Sequence, residues 1–143
     1  MSEQDNIRIA EKWIEALGAH DLTRMQDLRA PGYIVEHPAL PGPVGAEEED
    51  AYIRRLTEAF PDWRWEDVQT IAQGDFVVIN GIRRGTQSGP MGGSWDEILP
   101  ATGKKLALRI STTLQIENGK IVHSSVYYDR FGMMKELGQI LSW

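Results

Sequence analysis

The sequence contains no cysteine, which excludes disulfide bonds, thiolate metal ligands and a cysteine nucleophile. It has no run of about 20 apolar residues, the length that a helix needs to cross a bilayer. Its polar N-terminus lacks the basic start and apolar stretch of a signal peptide. These missing signals predict a cytoplasmic protein that makes no contact with a membrane.

Histidine and clustered basic residues are also scarce. No two of the three histidines have the spacing of metal ligands, so no metal site is expected. The formal net charge is -6, and the basic residues form no stripe that would bind nucleic acid. The acidic run at residues 47–50 opens a predicted helix, where it complements the positive end of the helix dipole.

What the sequence does contain is the pattern of one α+β domain over residues 1–143. Helices come first and strands follow, unlike the alternation of βαβ proteins. The periodicity predicts helices at residues 4–18, 21–29, 46–60 and 131–141, and strands at residues 33–37, 63–71, 76–86, 105–117 and 121–129.

Two loops rich in proline and glycine, residues 38–45 and 87–103, are typical of a pocket rim. His37 precedes the first of these loops. We expect its imidazole to hydrogen-bond or shuttle protons at the rim, and the alternative is a partly exposed loop histidine.

The Asn118–Gly119 hairpin allows the faces of the last two strands to be assigned. If Glu117 pairs with Lys120, the more apolar face holds Ile110, Tyr127 and Asp129, which we expect to line the pocket. A β-bulge in this hairpin would exchange the faces beyond it.

The same argument at residues 73–74 groups aromatic and polar side chains on one face of the preceding hairpin. The predicted ligand contacts on this face are Trp63, Trp65, Asp67 and Asn80. Asp67 and Asn80 fall opposite each other and could hydrogen-bond to a ligand. Tyr33 and Trp95 are further aromatic candidates for the pocket.

Three stretches of the sequence resemble the SnoaL-like polyketide cyclase family, also called the ester-cyclase group, of the NTF2-like superfamily. They are Leu-Thr-Glu-Ala-Phe-Pro-Asp at residues 56–62, Gly-Thr-Gln-Ser-Gly at 85–89 with Pro-Ala-Thr-Gly-Lys at 100–104, and the stretch from residue 116 to 138 that includes Tyr-Tyr-Asp-Arg-Phe-Gly-Met-Met. Their order and spacing match the family over residues 50–138. The chain departs from the family's pattern at Gln87 and Ser125, where members often have histidine and an aromatic residue.

The resemblance implies a cone-shaped barrel: a curved antiparallel sheet and N-terminal helices packed around one pocket, often dimeric through the outer face of the sheet. It also implies a cofactor-independent aldol cyclisation in which one aspartate near the end of the last strand acts as general acid and base. Asp129 is the matching position.

We therefore expect an enzyme that uses Asp129, with His37 nearby, on a hydrophobic carbonyl-rich small molecule. Asp129 could instead cap the terminal helix or form an ion pair. Two other functions stay open on this fold, a non-catalytic binding protein and a different enzyme, either an isomerase or an epoxide hydrolase. The hydrolase would require Asp67, Arg84 and Asp129 to converge.

Overall fold

The computed structural model describes residues 2–92 and 99–139, and Trp95 and the end of the predicted terminal helix lie outside these ranges. The described chain forms α1 (Glu3–Gly18), α2 (Leu22–Leu28), β1 (Arg29–Glu36), α3 (Ala46–Ala59), β2 (Arg64–Gln73), β3 (Phe76–Thr86), β4 (Lys105–Glu117), β5 (Lys120–Tyr127) and α4 (Arg130–Glu136). The predicted α+β class is confirmed, because every predicted helix and strand is present. β1 begins four residues earlier than predicted, at Arg29, and α4 ends at Glu136, five residues before the predicted end at residue 141.

The five strands form one sheet in the order β1-β5-β4-β3-β2. All neighbouring pairs are antiparallel except β1 and β5, which run parallel at one edge. The chain reaches this parallel edge because α3 and the strands β2, β3 and β4 lie between β1 and β5 in the sequence, which leaves ample length for a crossover. The predicted antiparallel sheet is therefore correct except at its first strand.

The first helix covers the inner face of the sheet with an apolar stripe. Ser2 caps it by accepting a hydrogen bond from the Asp5 backbone N–H, and the Asp5 side chain accepts one in return from the Ser2 backbone. Buried side chains recur at the 3.6-residue period, and the core contains Ile9, Ala10, Trp13, Ala16, Val77, Ile79, Leu114, Ile116 and Ile121.

A β-bulge at Val122 changes the faces of β5. Ile116 pairs with Ile121, but the next residue of β4, Gln115, pairs with His123, so Val122 is the extra residue. Beyond it, Ser124, Val126 and Tyr128 share the inner face of the sheet with Thr112, and the odd-numbered residues turn outward. The face assignment made from hairpin parity was therefore wrong beyond residue 122.

A second bulge lies in β2. Glu66 pairs with Ile82 and Gln69 with Asn80, so Asp67 and Val68 together oppose one residue of β3. Asp67 takes a left-handed φ of 53° at this bulge. Trp65 consequently faces inward, whereas Asn80 and Phe76 face outward, and Phe76 is 48% exposed. The predicted grouping of Asn80 and Asp67 with the two tryptophans was wrong for this reason.

A buried ion pair ties the start of β1 to the first turns of α3. The Arg29 guanidinium lies 2.6 Å from the Glu49 carboxylate and 2.9 Å from Asp50, and its side chain is 1% exposed. The Tyr33 hydroxyl donates to Glu49 at 3.0 Å, and the rings of Trp13 and Tyr33 flank the guanidinium. Such a pair holds its elements in one arrangement, because separating either partner leaves a buried charge unmatched.

We expect Arg29→Met to lower the free energy of unfolding by about 3 to 5 kcal/mol, since it leaves Glu49 charged and buried without its cation. The double variant Arg29→Met/Glu49→Leu should recover most of this loss. Urea denaturation measures both. The matched control is Arg8→Met on α1, whose ion pair with Asp5 is exposed and should contribute less than about 1 kcal/mol. Equal losses in the two single variants would contradict the assignment.

Candidate ligand-binding cavity

A cavity opens between the inner face of the sheet and helices α1, α3 and α4. The cavity has a volume of about 110 Å³. An apolar cavity of about 150 Å³ holds benzene, so this space accommodates about one ring of a ligand. Most of its wall is apolar, with contributions from Leu56, Phe60, Leu108, Ile110, Val126 and Met133.

Helix α3 supplies one wall through residues one turn apart. Glu49, Tyr52, Ile53 and Leu56 all line the cavity, at the spacing that places side chains on one face of a helix. Tyr52, Ile53 and Leu56 belong to the buried face predicted from periodicity. Glu49 lies on the same face, so α3 brings one carboxylate to an otherwise apolar wall.

Glu49 is the one carboxylate among the described residues that line the cavity, and it is 7% exposed. Its two oxygens accept hydrogen bonds from the Tyr33 hydroxyl, and Arg29 donates to one of them. Burial raises the pKa of Glu49, while the contacts with Arg29 and Tyr33 oppose that rise. The net effect is a carboxylate that is more basic than an exposed one.

A relay of three polar side chains joins the start of α4 to α3. Arg130 hydrogen-bonds to the Tyr128 hydroxyl, which in turn shares a hydrogen bond with the Tyr52 hydroxyl. Burial raises the pKa of both phenols, so both stay protonated at neutral pH. With Tyr128 donating to the Tyr52 oxygen, the Tyr52 proton is left to donate to a ligand.

His37 packs against this relay. Its ring centroid lies 4.6 Å from that of Tyr52 and 5.4 Å from that of Tyr128. The Ala39 backbone N–H donates to Nδ1 at 2.9 Å, which assigns the proton of the neutral imidazole to Nε2. Burial, reinforced by the positive charge of Arg130, lowers the pKa of His37 to about 3. His37 is therefore a neutral hydrogen-bond donor at physiological pH.

Arg83 lies on β3 between two indole rings. Its guanidinium carbon is 5.1 Å from the Trp63 ring centroid and 4.8 Å from that of Trp65. Gly81 and Gly85 make this arrangement possible, because a Cβ at either position would come within 3.0 Å of the neighbouring indole. The sequence Gly-Ile-Arg-Arg-Gly thus places a cation between two aromatic faces on the inner side of the sheet.

Four of the residues predicted to form the site do line the cavity: His37, Trp63, Trp65 and Ile110. Tyr33 is buried in the neighbouring core, where it hydrogen-bonds to Glu49 and does not belong to the lining. Asp67 and Asn80 lie off the inner face at and beyond the β2 bulge, and Tyr127 is 65% exposed on the outer face.

Asp129 also lies outside the cavity lining. Its exposed side chain accepts a hydrogen bond from the Gly132 backbone N–H at 2.8 Å and caps α4. The position predicted for this carboxyl was wrong because the bulge at Val122 turns the odd-numbered residues outward. Asp129 therefore acts as a helix cap, which is the alternative considered in the sequence analysis.

The Asp67, Arg84 and Asp129 set that an epoxide hydrolase would require does not converge, since Arg84 is paired with Glu66 on the outer face.

The sequence prediction missed Glu49, Tyr52, Arg83, Tyr128 and Arg130 as cavity residues. Glu49 could have been found, since it lies three residues before Tyr52 and four before Ile53 on the predicted apolar face of α3. Arg83 carried a weaker signal, because it lies two residues from a glycine on each side, at Gly81 and Gly85. Tyr128 and Arg130 depend on the β5 bulge and could not be assigned from parity.

The described residues hold no group of three or more side chains suited to a metal ion. In the part of the chain that the structure describes, no helix is both long and apolar enough to span a membrane.

Gln87 stands at the position where the family often has histidine, and it is fully buried. Its side chain donates a hydrogen bond to the Pro100 carbonyl and accepts one from the Thr102 hydroxyl, which stabilises the loop at the cavity rim.

A family model for SnoaL-like polyketide cyclases matches residues 7–137. The chain belongs to the SnoaL-like polyketide cyclase family. This match confirms the resemblance noted in its sequence motifs. No curated protein matches this SnoaL-like chain.

Solved structures share the fold of this SnoaL-like protein. AclR, a candidate hydroxylase from Streptomyces galilaeus, is 18% identical with a TM-score of 0.83, over 99% of this chain and 86% of that one. A candidate SnoaL-like polyketide cyclase from Jannaschia sp. CCS1 is 22% identical with a TM-score of 0.83, over 97% and 95%. IdmH, a candidate polyketide cyclase from Streptomyces antibioticus, is 23% identical with a TM-score of 0.75, over 93% and 98%.

At these identities the likeness shows the fold alone. Related structures with NTF2-like and cystatin-like folds also match, which confirms the predicted NTF2-like architecture. The single-domain organisation of residues 1–143 and the expected homodimer stay predictions.

Asp129→Ala should lower the free energy of unfolding by about 1 kcal/mol, because α4 loses the acceptor at its N-cap. Asp129→Asn should lose less, since asparagine is an equally good cap. Chemical denaturation of the three proteins measures the difference. If both variants were as stable as the wild type, the cap would contribute nothing and another role for the side chain would be needed.

Acid should destabilise the protein through His37. Its folded pKa of about 3 lies below the ordinary value of 6.5, so the neutral form stabilises the fold above pH 6.5. That contribution falls as the pH drops from about 6.5 towards 3, because the unfolded chain takes up the proton first. Between pH 7 and pH 4, His37→Gln should lose about 1 to 3 kcal/mol less than the wild type. Urea denaturation at the two pH values tests this, and equal losses in both proteins would contradict it.

Proposed function

We propose that this protein is a cofactor-independent enzyme of the polyketide-cyclase type, which enolises a small carbonyl compound in the cavity and closes a carbon–carbon bond within it. The single observation that carries the proposal is a buried carboxylate in an apolar cavity, one helical turn from a buried phenol. Membership of the SnoaL-like family and the two candidate cyclases among the structural neighbours support the same reaction class.

Glu49 is the proposed general base. Within residues 2–92 and 99–139, its Oε2 accepts only the 3.1 Å hydrogen bond from Tyr33, whereas Oε1 accepts from both Arg29 and Tyr33. A lone pair of Oε2 is thus left to remove a proton from a carbon next to the substrate carbonyl. A pKa raised by burial makes Glu49 a stronger base than an exposed glutamate, which is the direction that catalysis at neutral pH requires.

Tyr52 is the proposed donor to the substrate carbonyl oxygen. It lies three residues after Glu49 on the same face of α3, so the base and the donor are neighbours on the helix surface. As the carbon loses its proton, negative charge develops on the carbonyl oxygen, where a phenol O–H stabilises it. Tyr128 and Arg130 act as positioning residues, because their hydrogen bonds orient and polarise the Tyr52 hydroxyl.

The proposed reaction balances without an external reagent. Glu49 takes the α-proton, the enolate carbon bonds to a second carbonyl carbon of the same molecule, and the resulting alkoxide takes a proton back. No atoms are gained or lost, and the carboxylate is regenerated. The apolar wall favours this sequence, since excluding water strengthens each hydrogen bond to the developing charge.

Deuterium incorporation into 2-tetralone tests the first step. This neutral ketone carries its carbonyl on one of two fused rings, and NMR in D₂O follows exchange at its α-carbon. We expect the protein to accelerate exchange, Glu49→Gln to reduce the enzymatic rate by about 10²-fold or more, and Tyr52→Phe by about 10-fold. The matched control is Glu47→Gln, an exposed glutamate in the same turn of α3, which should leave the rate unchanged.

Thermal denaturation of each variant separates loss of activity from loss of folding. If Glu49→Gln unfolds because Arg29 is left unpaired, Tyr52→Phe still tests the mechanism. Binding of 2-tetralone without exchange would overturn the enzymatic proposal and favour a ligand-binding protein. Loss of exchange in a folded Asp129→Asn variant would overturn the assignment of the base to Glu49.

A further inference from the structure

Arg83 is a buried cation for which the described surroundings supply no anion. It is 5% exposed and lines the cavity. None of the ion pairs among residues 2–92 and 99–139 includes it, and its Nε atom has no hydrogen-bond partner there. Burying a guanidinium without an acceptor is costly, so its retention in the cavity wall requires an explanation.

The two indoles that flank Arg83 do not supply that acceptor. Their π-faces attract the cation, at 5.1 Å for Trp63 and 4.8 Å for Trp65. The indole N–H of Trp65 is itself buried and has no hydrogen-bond partner in the described part of the chain. Arginine and tryptophan side chains are donors only. The group missing from this part of the cavity is therefore a hydrogen-bond acceptor.

The charges of the lining favour an acceptor that is an anion. Arg55, Arg83 and Arg130 are the cations among the described lining residues, and Glu49 is the anion. The charge of Glu49 is already matched by Arg29. Arg83 therefore brings positive charge into the cavity without a matching carboxylate among the described residues, although the formal net charge of the chain is -6.

We propose that the cavity selects an organic acid as its ligand, with the carboxylate held by Arg83 and an apolar ring of the ligand packed against the apolar wall. This deepens the proposed function, and rests on it only for the assignment of the cavity as the substrate site. The carboxylate accepts charge-assisted hydrogen bonds from the guanidinium, which are stronger than those between neutral groups. Arg83 is a specificity-determining residue in this scheme, and Glu49 and Tyr52 remain the reacting groups.

Arg84 provides a natural comparison. It follows Arg83 on the same strand but faces outward, where it pairs with Glu66 at 2.8 Å and is 43% exposed. Two adjacent arginines on one strand therefore differ: Arg84 forms an ion pair at the surface, and Arg83 lines the cavity without an ion-pair partner among the described residues. Substituting Arg83 and Arg84 in turn shows whether a loss of ligand affinity depends on the position of the arginine or only on the net charge of the protein.

Isothermal titration with 2-naphthoate and its neutral isostere 2-naphthamide tests the inference. The wild type should bind the carboxylate more tightly than the amide. Arg83→Gln should weaken binding of 2-naphthoate by about 10- to 100-fold and change binding of 2-naphthamide by less than about 3-fold. Arg84→Gln should leave both affinities within about 2-fold of the wild type.

The thermal stability of Arg83→Met supplies a second readout. In the ligand-free protein this substitution removes an unpaired buried charge, so the variant should melt no lower than the wild type. Saturating 2-naphthoate should raise the Tm of the wild type and not that of Arg83→Met. A ligand-free Arg83→Met that melts well below the wild type would show that Arg83 serves the fold, and would overturn its role in recognition.

The outcomes distinguish this inference from the proposed function. Tight, Arg83-dependent binding of 2-naphthoate without deuterium exchange into 2-tetralone would support the inference and overturn the proposed enzymatic function. Deuterium exchange into 2-tetralone, together with equal affinities for 2-naphthoate and 2-naphthamide, would support the proposed enzymatic function and overturn the inference. If Arg83→Gln and Arg84→Gln weakened the binding of 2-naphthoate equally, the inference would also be overturned, because the effect would then depend on overall charge and not on position.

Discussion

Two β-bulges determine which side chains reach the cavity. In an uninterrupted strand, alternate residues face the same side, so a single extra residue turns everything beyond it over. The bulge at Val122 brings Ser124, Val126 and Tyr128 inward, and the bulge at Asp67 and Val68 does the same for Trp65. Without them the cavity would lose the Tyr128 end of its relay and one of the two indoles beside Arg83.

The polar groups around the cavity fall into a matched set and an unmatched set. Glu49 is held by Arg29 and Tyr33, and these contacts also join β1 to α3. Arg83 and the Trp65 N–H have no acceptor among the described residues. Native proteins satisfy most buried polar groups, and exceptions concentrate where a ligand completes the structure. The contacts of Glu49 stabilise the cavity wall, and the donors of Arg83 and Trp65 indicate that the ligand carries a hydrogen-bond acceptor.

The position of Asp129 separates this chain from the mechanism implied by its family resemblance. A cap for a seven-residue helix is a local role that requires only the following backbone N–H groups. The acid–base chemistry proposed here uses instead a carboxylate near the start of α3, which is buried and lines the cavity. Family membership and the fold are unaffected, because both rest on the whole chain and not on one side chain.

The sequence by itself determined the α+β class, the order of the helices and strands, the family and the inward face of α3, because periodicity and turn chemistry are local properties. It also identified His37, Trp63, Trp65 and Ile110 as cavity residues. Only the tertiary structure decided the faces of β5 and β2, since a bulge depends on how two strands fit together and leaves no fixed residue pattern. For the same reason only the tertiary structure could remove Asp129, Asp67, Asn80 and Tyr127 from the cavity and place Arg83 between two indoles, because those contacts join segments far apart in the chain.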